Sequence, residues 1–326
     1  MSAAEPLLRI EGLTTRFQVH RGGLGAKPQV VHAAEDVSFT VRPGEIVGLI
    51  GESGSGKSTV GRTIVRLETA TAGRVLYRGQ DVLALTGREL KRYRRRVQAV
   101  FQDPAASLDP RMRVAEIIAE PLVVHGIGDR RDRQARVASL LAQVGLQADA
   151  LRRYPHQFSG GQRQRIGIAR ALAVGPDLIV ADEPVSALDV SVQAQVINLL
   201  QALRQEMGLA LLFISHDLPT VEFLCDRVVV MYLGRVMETA PAAEFSLSPL
   251  HPYSRMLVAD APRFGGRLRP SADQAGEAPS PLSPPSGCVF RTMCPHVIAD
   301  CSLTTPPLAP VTADRAVACI RRELFS

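Results

Sequence analysis

The segment from Gly51 to Ser58, GESGSGKS, contains the residue types that bind phosphate. Its glycines allow the backbone to curl so that successive N–H groups point at an anion. Lys57 would place a positive charge on the β- and γ-phosphates, and Ser58 would offer a hydroxyl to Mg²⁺. A glycine-rich turn without a ligand is the alternative. The flanking sequence favours the phosphate-binding loop, because it predicts a strand before the loop and a helix after it.

A second segment, FSGGQ, has the same kind of chemistry. Ser159, Gly160 and Gly161 precede a predicted helix, and the N-terminus of a helix presents backbone N–H groups to an anion. The sequence therefore predicts two phosphate cradles that lie far apart along one chain.

Two adjacent carboxylates, Asp182 and Glu183, follow the apolar run LIVA. Asp182 would hold Mg²⁺ through water, and Glu183 would polarise an attacking water molecule. Paired acidic residues at a strand end usually belong to a solvated loop, but the phosphate-binding loop in the same chain favours the functional interpretation. A GTPase is disfavoured, because guanine is usually read by an Asn-Lys-x-Asp motif and Asn198 is the only asparagine.

Four of the five cysteines crowd the end of the chain, in the spacing Cys-x5-Cys-x6-Cys-x17-Cys. In a reducing compartment such a cluster indicates a metal site before it indicates disulfides. Four thiolates suit zinc or an iron–sulfur cluster, and the lack of Cys-x2-Cys pairs favours a [4Fe-4S] cluster over Zn²⁺. His296 could replace one ligand, and four reduced cysteines that pack a small tail are the alternative. The predicted ligands are Cys288, Cys294, Cys301 and Cys319.

Composition and periodicity indicate the elements that must position these groups. The 326 residues are 46% hydrophobic with a net charge of +6, which fits a soluble globular protein. No stretch approaches the ~18 apolar residues of a membrane span, and no signal peptide is recognisable, so we expect a cytoplasmic protein. The basic segment 88–96 is interpreted as a solvated helix face, because stacking aromatics do not interleave with its charges.

The secondary-structure pattern predicts an α/β protein. Short apolar runs predict strands over residues 7–50, and residues 104–157 have the apolar spacing of a helical insert. Strands and helices then alternate, which predicts a mainly parallel sheet. Residues 260–287 are rich in proline and indicate an extended linker before the cysteine tail.

Taken together, these residues resemble the ATPase subunits of ABC transporters. The matches are the Walker A segment GESGSGKST, FQDP, the signature FSGGQ, LIVADEP, SALD and SHD, and they occur in the family's order. The resemblance implies a P-loop NTPase fold with an ABC ATPase domain over 7–255, a helical subdomain over about 104–157 and a C-terminal extension over 256–326. It implies catalytic roles for Glu183, His216 and Gln102. It implies ATP contacts by Gly51, Ser53, Gly54, Gly56, Lys57, Ser58, Thr59, Asp182, Ser159, Gly160, Gly161, Gln162 and Asp189, and Mg²⁺ contacts by Ser58, Gln102 and Asp182.

The resemblance also explains the two cradles. In this family two ATPase subunits pair head to tail, and the Walker A segment of one subunit and the signature of the other enclose one ATP. Phe17 is the candidate for stacking on adenine, although it could equally be a core residue.

A second resemblance, to the peptide/nickel importer subfamily, rests on SPLHPYSRMLV and on GEAPSPLSPPSGCVFRTMCP. It implies a linker ordered against the ATPase domain and a peripheral protein on the cytoplasmic face of the inner membrane. The implied partners are a sister ATPase, two permease subunits and an extracytoplasmic solute-binding protein, with no nucleic acid. The chain looks most like the second ATPase of such a pair, which favours a heterodimer. The alternatives are a soluble ABC ATPase of translation or DNA repair and a peptide exporter.

Overall fold

The computed structural model describes residues 5–19, 29–261 and 279–324. The strands are β1 Leu8–Val19, β2 Gln29–Val41, β3 Ile46–Ile50, β4 Ala72–Tyr77, β5 Gln80–Asp81, β6 Val97–Val100, β7 Leu178–Asp182, β8 Ala210–Ser215, β9 Arg227–Tyr232, β10 Arg235–Pro241, β11 Ala309–Pro310 and β12 Ala316–Val317. The helices are α1 Lys57–Ile64, α2 Gly87–Arg96, α3 Pro104–Ser107, α4 Val114–Val124, α5 Arg130–Gln143, α6 Gly160–Leu172, α7 Val190–Met207, α8 Leu218–Leu224, α9 Ala242–Leu247, α10 Pro252–Asp260 and α11 Asp300–Leu303.

The chain divides into two compact units. Of the described residues, the first unit contains those within 1–41, 46–83 and 215–326, and the second contains those within 42–45 and 84–214. The C-terminal tail therefore belongs to the same unit as the predicted Walker A segment. The second unit contains the helical residues 104–157.

The first unit contains a small antiparallel sheet in which β1 pairs with β2 and β4, and β4 pairs with β5. In the same unit β3 runs parallel to β9, and β10 returns antiparallel to β9. The β9–β10 turn consists of Leu233 and Gly234, both with positive φ, as a two-residue hairpin turn requires. The tail extends this arrangement, because β12 pairs with β10 and β11 pairs with β12.

The second unit is built on parallel strands, in which β7 pairs with β6 on one side and β8 on the other. Every residue of β7 and β8 is buried, which accounts for their continuous apolar sequences. Helices α4 and α5 pack with α6 on this unit. The α/β class and the predicted helical insert are therefore present.

The proline-rich segment is described only in part, because residues 262–278 of the predicted linker lie outside the described residues. Where the chain is described again, the N–H of His32 on β2 donates to Pro281 O at 3.0 Å. The described end of the predicted linker therefore contacts β2.

Candidate nucleotide site

The Walker A segment leaves the buried strand β3 and enters α1 with a backbone that requires glycine at two places. Gly51 and Gly56 have φ of 145° and 99°. A Cβ at Gly51 would lie 2.1 Å from Met231 O, and one at Gly56 would lie 2.0 Å from Ala33 O. Any side chain at either position would therefore displace backbone. At Gly54, by contrast, a Cβ meets no described atom within 4 Å, so the tip of the loop is open to a ligand.

Lys57, the first residue of α1, is 4% exposed. Its Nζ donates to Gly51 O and Glu52 O at 2.7 Å each and to Ser55 Oγ at 3.3 Å. The loop thus holds the ammonium group against its own carbonyl oxygens, where a buried cation needs partners. This donor set fits a nucleotide phosphate, because it combines a fixed cation, a curled backbone and a helix N-terminus.

The remaining residues of the first unit that are predicted to contact ATP lie on the loop, on α1, on β1 and just after β8. Ser58 and Thr59 are half-buried in the first turn of α1, and Ser53 is exposed on the loop. Phe17 is half-buried on β1 opposite Val31. His216 is exposed just after β8, where Ser215 Oγ accepts a hydrogen bond from Asp217 N at 3.0 Å.

In the second unit the structure brings Gln102 and Glu183 together. Gln102 Nε2 donates to Glu183 Oε2 at 3.1 Å across 81 residues of sequence. Asp182 ends β7 and is 6% exposed. Glu183 has φ of 46°, and its N–H donates to Ile214 O at 2.9 Å. Glu183, the second residue of the acidic pair, is therefore held by hydrogen bonds of both its backbone and its side chain.

The signature begins α6 with a capping box. Ser159 Oγ accepts from Gln162 N at 3.4 Å, and Gln162 Oε1 accepts from Ser159 N at 3.1 Å. Ser159 and Gly160 are exposed, whereas Gly161 faces α7, where an added Cβ would lie 2.1 Å from Val192 Cγ1. The first glycine thus leaves the helix N-terminus accessible, and the second is required by packing.

The loop before α7 lies beside the signature in the same unit. A Cβ at Gly160 would lie 3.2 Å from Leu188 Cδ2, and the exposed Asp189 follows as the residue before α7. Gln193 Nε2 donates to Val185 O and Leu188 O at 3.0 Å each. The role of this amide could not be predicted from the sequence, because a glutamine on a helix carries no recognisable signal.

The metal prediction for the cysteine tail is wrong. Cys288, Cys294, Cys301 and Cys319 all line one cavity together with Phe290, and all four are free thiols. The described residues nevertheless contain no group of three or more His, Cys, Asp or Glu side chains that could hold a metal ion, whether an iron–sulfur cluster or Zn²⁺.

The four thiols share one cavity but do not form a group that could hold a metal ion. Burial raises the pKa of Cys288 to about 11 and also raises the pKa of Cys294 and Cys319, which favours the neutral thiol in each. The expectation that His296 could replace one cysteine as a metal ligand is wrong for the same reason. The alternative interpretation, four reduced cysteines in a small packed tail, agrees with the structure.

The tail is fastened by a buried ion pair that the sequence analysis also missed. Glu238 on β10 is fully buried and accepts hydrogen bonds from Leu250 N at 3.0 Å and His251 N at 2.8 Å. Arg315 of the tail donates to the same carboxylate at 3.3 Å and to Ser248 O at 2.6 Å. These contacts position both the start of α10 and β12.

The strand, glycine loop and lysine, together with the buried carboxylate at a second strand end, define a P-loop ATPase. Two family models match the chain. They are the ABC transporter model over residues 34–186 and the oligopeptide/dipeptide transporter C-terminal region over residues 237–301.

Full-length relatives are similar over nearly the whole chain. A putative peptide import ATP-binding protein of Brucella ovis is 51% identical over 320 residues, covering 98% of this chain and 99% of the relative. The oligopeptide transport ATP-binding protein AppF of Bacillus subtilis is 47% identical over 325 residues, covering 98% and 99%. The chain therefore belongs to the ABC transporter family, and it is an ATPase.

A solved structure supports the same fold. An ATP-binding cassette described as dimeric, in a post-hydrolysis state bound to ADP and Pi, is 30% identical with a TM-score of 0.64, over 72% of this chain and 98% of that one. The described ranges of the chain contain no helix that is long and apolar enough to cross a membrane.

Proposed function

We propose that this chain is the ATP-hydrolysing subunit of an importer that takes up peptides through a separate membrane permease. The alternative to peptides as the transported solute is nickel or another small solute. The observation that carries the proposal is that the Walker A loop and an oligopeptide-transporter-type tail occur in one compact unit. The relatives named for peptide import and oligopeptide transport match 98% of the chain.

Within the first unit, the loop amides and Lys57 would hold the phosphates of ATP. Phe17 is proposed to stack on adenine, and His216 to contact the γ-phosphate. Ser58 would offer its hydroxyl to Mg²⁺. When bound, Mg²⁺ supplies positive charge that offsets the charge developing on the phosphate oxygens.

Within the second unit, Glu183 would orient and polarise the attacking water. Its carboxylate is held by the Gln102 amide at 3.1 Å, so the contact fixes the direction in which the base points. Asp182 and Gln102 offer the oxygen ligands that Mg²⁺ prefers.

A head-to-tail pair of ATPases would use the exposed surface of the second unit. Ser159, Gly160 and Asp189 are exposed, and the adjacent Val190 is 81% exposed. We propose a sister ATPase as the partner, so that the signature of each chain meets the nucleotide held by the other.

The permease would dock on the helical residues 104–157, beside Gln102. Val123 and Val124 at the end of α4 are 57% and 54% exposed and would offer apolar contacts to the permease. The chain would then lie peripherally on the cytoplasmic face of the inner membrane, and an extracytoplasmic solute-binding protein would deliver the cargo. No nucleic-acid partner is proposed.

A mild-detergent pull-down of the tagged chain from its native membranes tests this proposal, with partners identified by mass. Two permease subunits, a sister ATPase and a solute-binding protein are the expected result. Recovery from the soluble fraction alone, with ribosomes or DNA, would overturn the transport proposal in favour of a soluble ABC ATPase of translation or repair.

A further inference from the structure

The His251–Pro252–Tyr253 element begins α10 and buries an aromatic ring in the first unit. His251 Nδ1 accepts a hydrogen bond from Tyr253 N at 3.0 Å and so caps the helix. Pro252 occupies the first helical position, where a missing N–H is tolerated. Tyr253 itself is fully buried, so this local structure fixes the direction of its side chain.

The hydroxyl of Tyr253 reaches the Walker A loop. Tyr253 Oη accepts a hydrogen bond from Glu52 N at 3.0 Å, across 201 residues of sequence. The carbonyl of the same peptide group, Gly51 O, accepts from Lys57 Nζ at 2.7 Å. The Gly51–Glu52 peptide group therefore has two partners. Its N–H donates to Tyr253, and its carbonyl oxygen accepts from Lys57, the phosphate-binding lysine.

The cysteine tail packs on the ring that carries this hydroxyl. Phe290, which lies between Cys288 and Cys294 in sequence, is 1% exposed. Its ring centroid lies 5.4 Å from that of Tyr253 and 5.3 Å from that of Tyr232. Tyr232 and Tyr253 lie 4.7 Å apart. Such tilted and edge-to-face contacts stabilise ring positions beyond simple burial.

We propose that Tyr253 is a positioning residue of the nucleotide site. Its hydroxyl fixes the Gly51–Glu52 peptide, and through this peptide the position of Lys57, while Phe290 of the tail holds the Tyr253 ring in place. The tail is therefore part of the machinery that binds ATP. This inference rests on ATP binding at the Walker A loop and is independent of the transported solute and of partner proteins.

The substitution Tyr253→Phe tests the hydroxyl while it keeps the ring. The matched control is Tyr232→Phe, because Tyr232 belongs to the same aromatic cluster but its hydroxyl contacts Met293 Sδ at 3.3 Å. Both variants remove one hydroxyl from one cluster, so a general effect on core packing should appear in both.

The first measurement is hydrogen–deuterium exchange of a peptide covering residues 50–57 in the purified full chain without nucleotide. We expect faster exchange in Tyr253→Phe than in the wild type, because the Glu52 amide loses its acceptor, and unchanged exchange in Tyr232→Phe. This measurement requires neither ATP nor activity, so it separates the inference from the transport proposal.

The second measurement is ATP affinity and turnover. We expect Tyr253→Phe to raise both the Kd and the KM for ATP by about tenfold, as loss of one hydrogen bond that leaves a donor unpaired would do. The kcat should stay within about twofold, because Glu183 and Gln102 are untouched. A purely structural role would not separate KM from kcat in this way.

Equal loop exchange and equal ATP affinity in Tyr253→Phe and Tyr232→Phe would overturn the inference. If Tyr253→Phe does not fold, Phe290→Leu replaces it, because this variant keeps both hydroxyls and loosens the packing of the tail on the rings of Tyr253 and Tyr232. A several-fold rise in the Kd for ATP is then expected, and an unchanged Kd would contradict the proposal.

Discussion

At the scale of single residues, Glu183 stands in a backbone conformation that few non-glycine residues adopt. Its φ of 46° carries a strain of about 1–3 kcal/mol. The N–H bond to Ile214 O and the side-chain bond from Gln102 hold it there. Strain of this kind persists where the surrounding structure fixes a group in one direction, as a residue that orients a water molecule requires.

His251 gives a pH dependence that can be measured. Burial lowers the pKa of His251 to about 3, whereas an unfolded histidine titrates near 6.5. Between these values the unfolded state binds more protons than the folded state, so stability rises with pH. We expect this group to remove about 1 kcal/mol of the free energy of unfolding for each pH unit below about 6.

The measurement is chemical denaturation at several pH values between 4 and 7, in the wild type and in His251→Asn. Asparagine can still cap α10 but does not titrate. In this pH range the free energy of unfolding of His251→Asn should therefore change less steeply with pH, by the amount that corresponds to about one bound proton. His156→Asn, at an exposed histidine of the second unit, is the control. An identical slope in the wild type and His251→Asn would contradict the burial argument.

At the scale of elements, the close packing of α6 on α7 requires glycine at position 161, because there is no room for a larger side chain than a hydrogen atom. Replacing Gly161 by alanine places a Cβ 2.1 Å from Val192 Cγ1, and overpacking of this kind destabilises by about 1–3 kcal/mol. Gly167 lies in the same helix with no described atom within 4 Å of an added Cβ. Gly167→Ala should therefore be neutral or stabilising, by up to about 1 kcal/mol.

Thermal and denaturant unfolding of Gly161→Ala and Gly167→Ala measure this difference. Because the displaced segment is the signature, Gly161→Ala should also reduce ATPase activity, whereas Gly167→Ala should not. Equal stability of the two variants would show that α7 can shift without cost.

The buried ion pair of Glu238 with Arg315, which fastens the tail, gives a second comparison of two substitutions. Glu238→Gln keeps the size of the side chain but leaves Arg315, which is 9% exposed, without its buried counter-charge. Breaking a buried ion pair costs about 3–5 kcal/mol. Glu244 lies 3.6 Å from the same guanidinium, but its side chain is 56% exposed, so Glu244→Gln should cost at most about 1 kcal/mol.

Denaturant unfolding monitored by circular dichroism distinguishes the two substitutions. Limited proteolysis of the tail should follow the same order, with Glu238→Gln cleaved first. If both variants unfold at the same denaturant concentration, the ion pair does not fasten the tail as described.

The elements that the sequence could predict are those with a strong local signal. Strand β3, the glycine loop and α1 carry such a signal, and so do β7 with Asp182 and the start of α6 at the signature. The β9–β10 hairpin does not, because its turn is Leu233–Gly234 and not an Asn-Gly pair. Glu238 and Arg315 could not be predicted either, because 77 residues separate them and nothing local marks either one as buried.

The cysteine tail shows why spacing alone misled the analysis. Four cysteines in 32 residues suggest a ligand set, and the fold does bring all four to one cavity. Whether they bind metal depends on how the folded chain arranges the four thiols, and the spacing does not encode this arrangement. The same applies to Tyr253, whose contact with Glu52 joins residues 201 positions apart in sequence and therefore depends on the folded course of the chain between them.

At the scale of the whole molecule, each compact unit carries one of the two phosphate cradles. The first unit holds the Walker A loop and the tail, and the second holds the signature, Glu183 and Gln102. The full set of ATPase motifs is therefore present in one chain. The described residues provide no helix that is long and apolar enough to cross a membrane.

The most direct test of the central claim is peptide uptake by cells in which Glu183→Gln replaces the chromosomal copy. We expect this variant to bind ATP but to lose turnover by at least about a hundredfold, and uptake of labelled short peptides to fall with it. The wild-type copy and Gly167→Ala should both support uptake. Peptide uptake that continues at the wild-type rate, while the purified Glu183→Gln protein has no ATPase activity, would contradict the account.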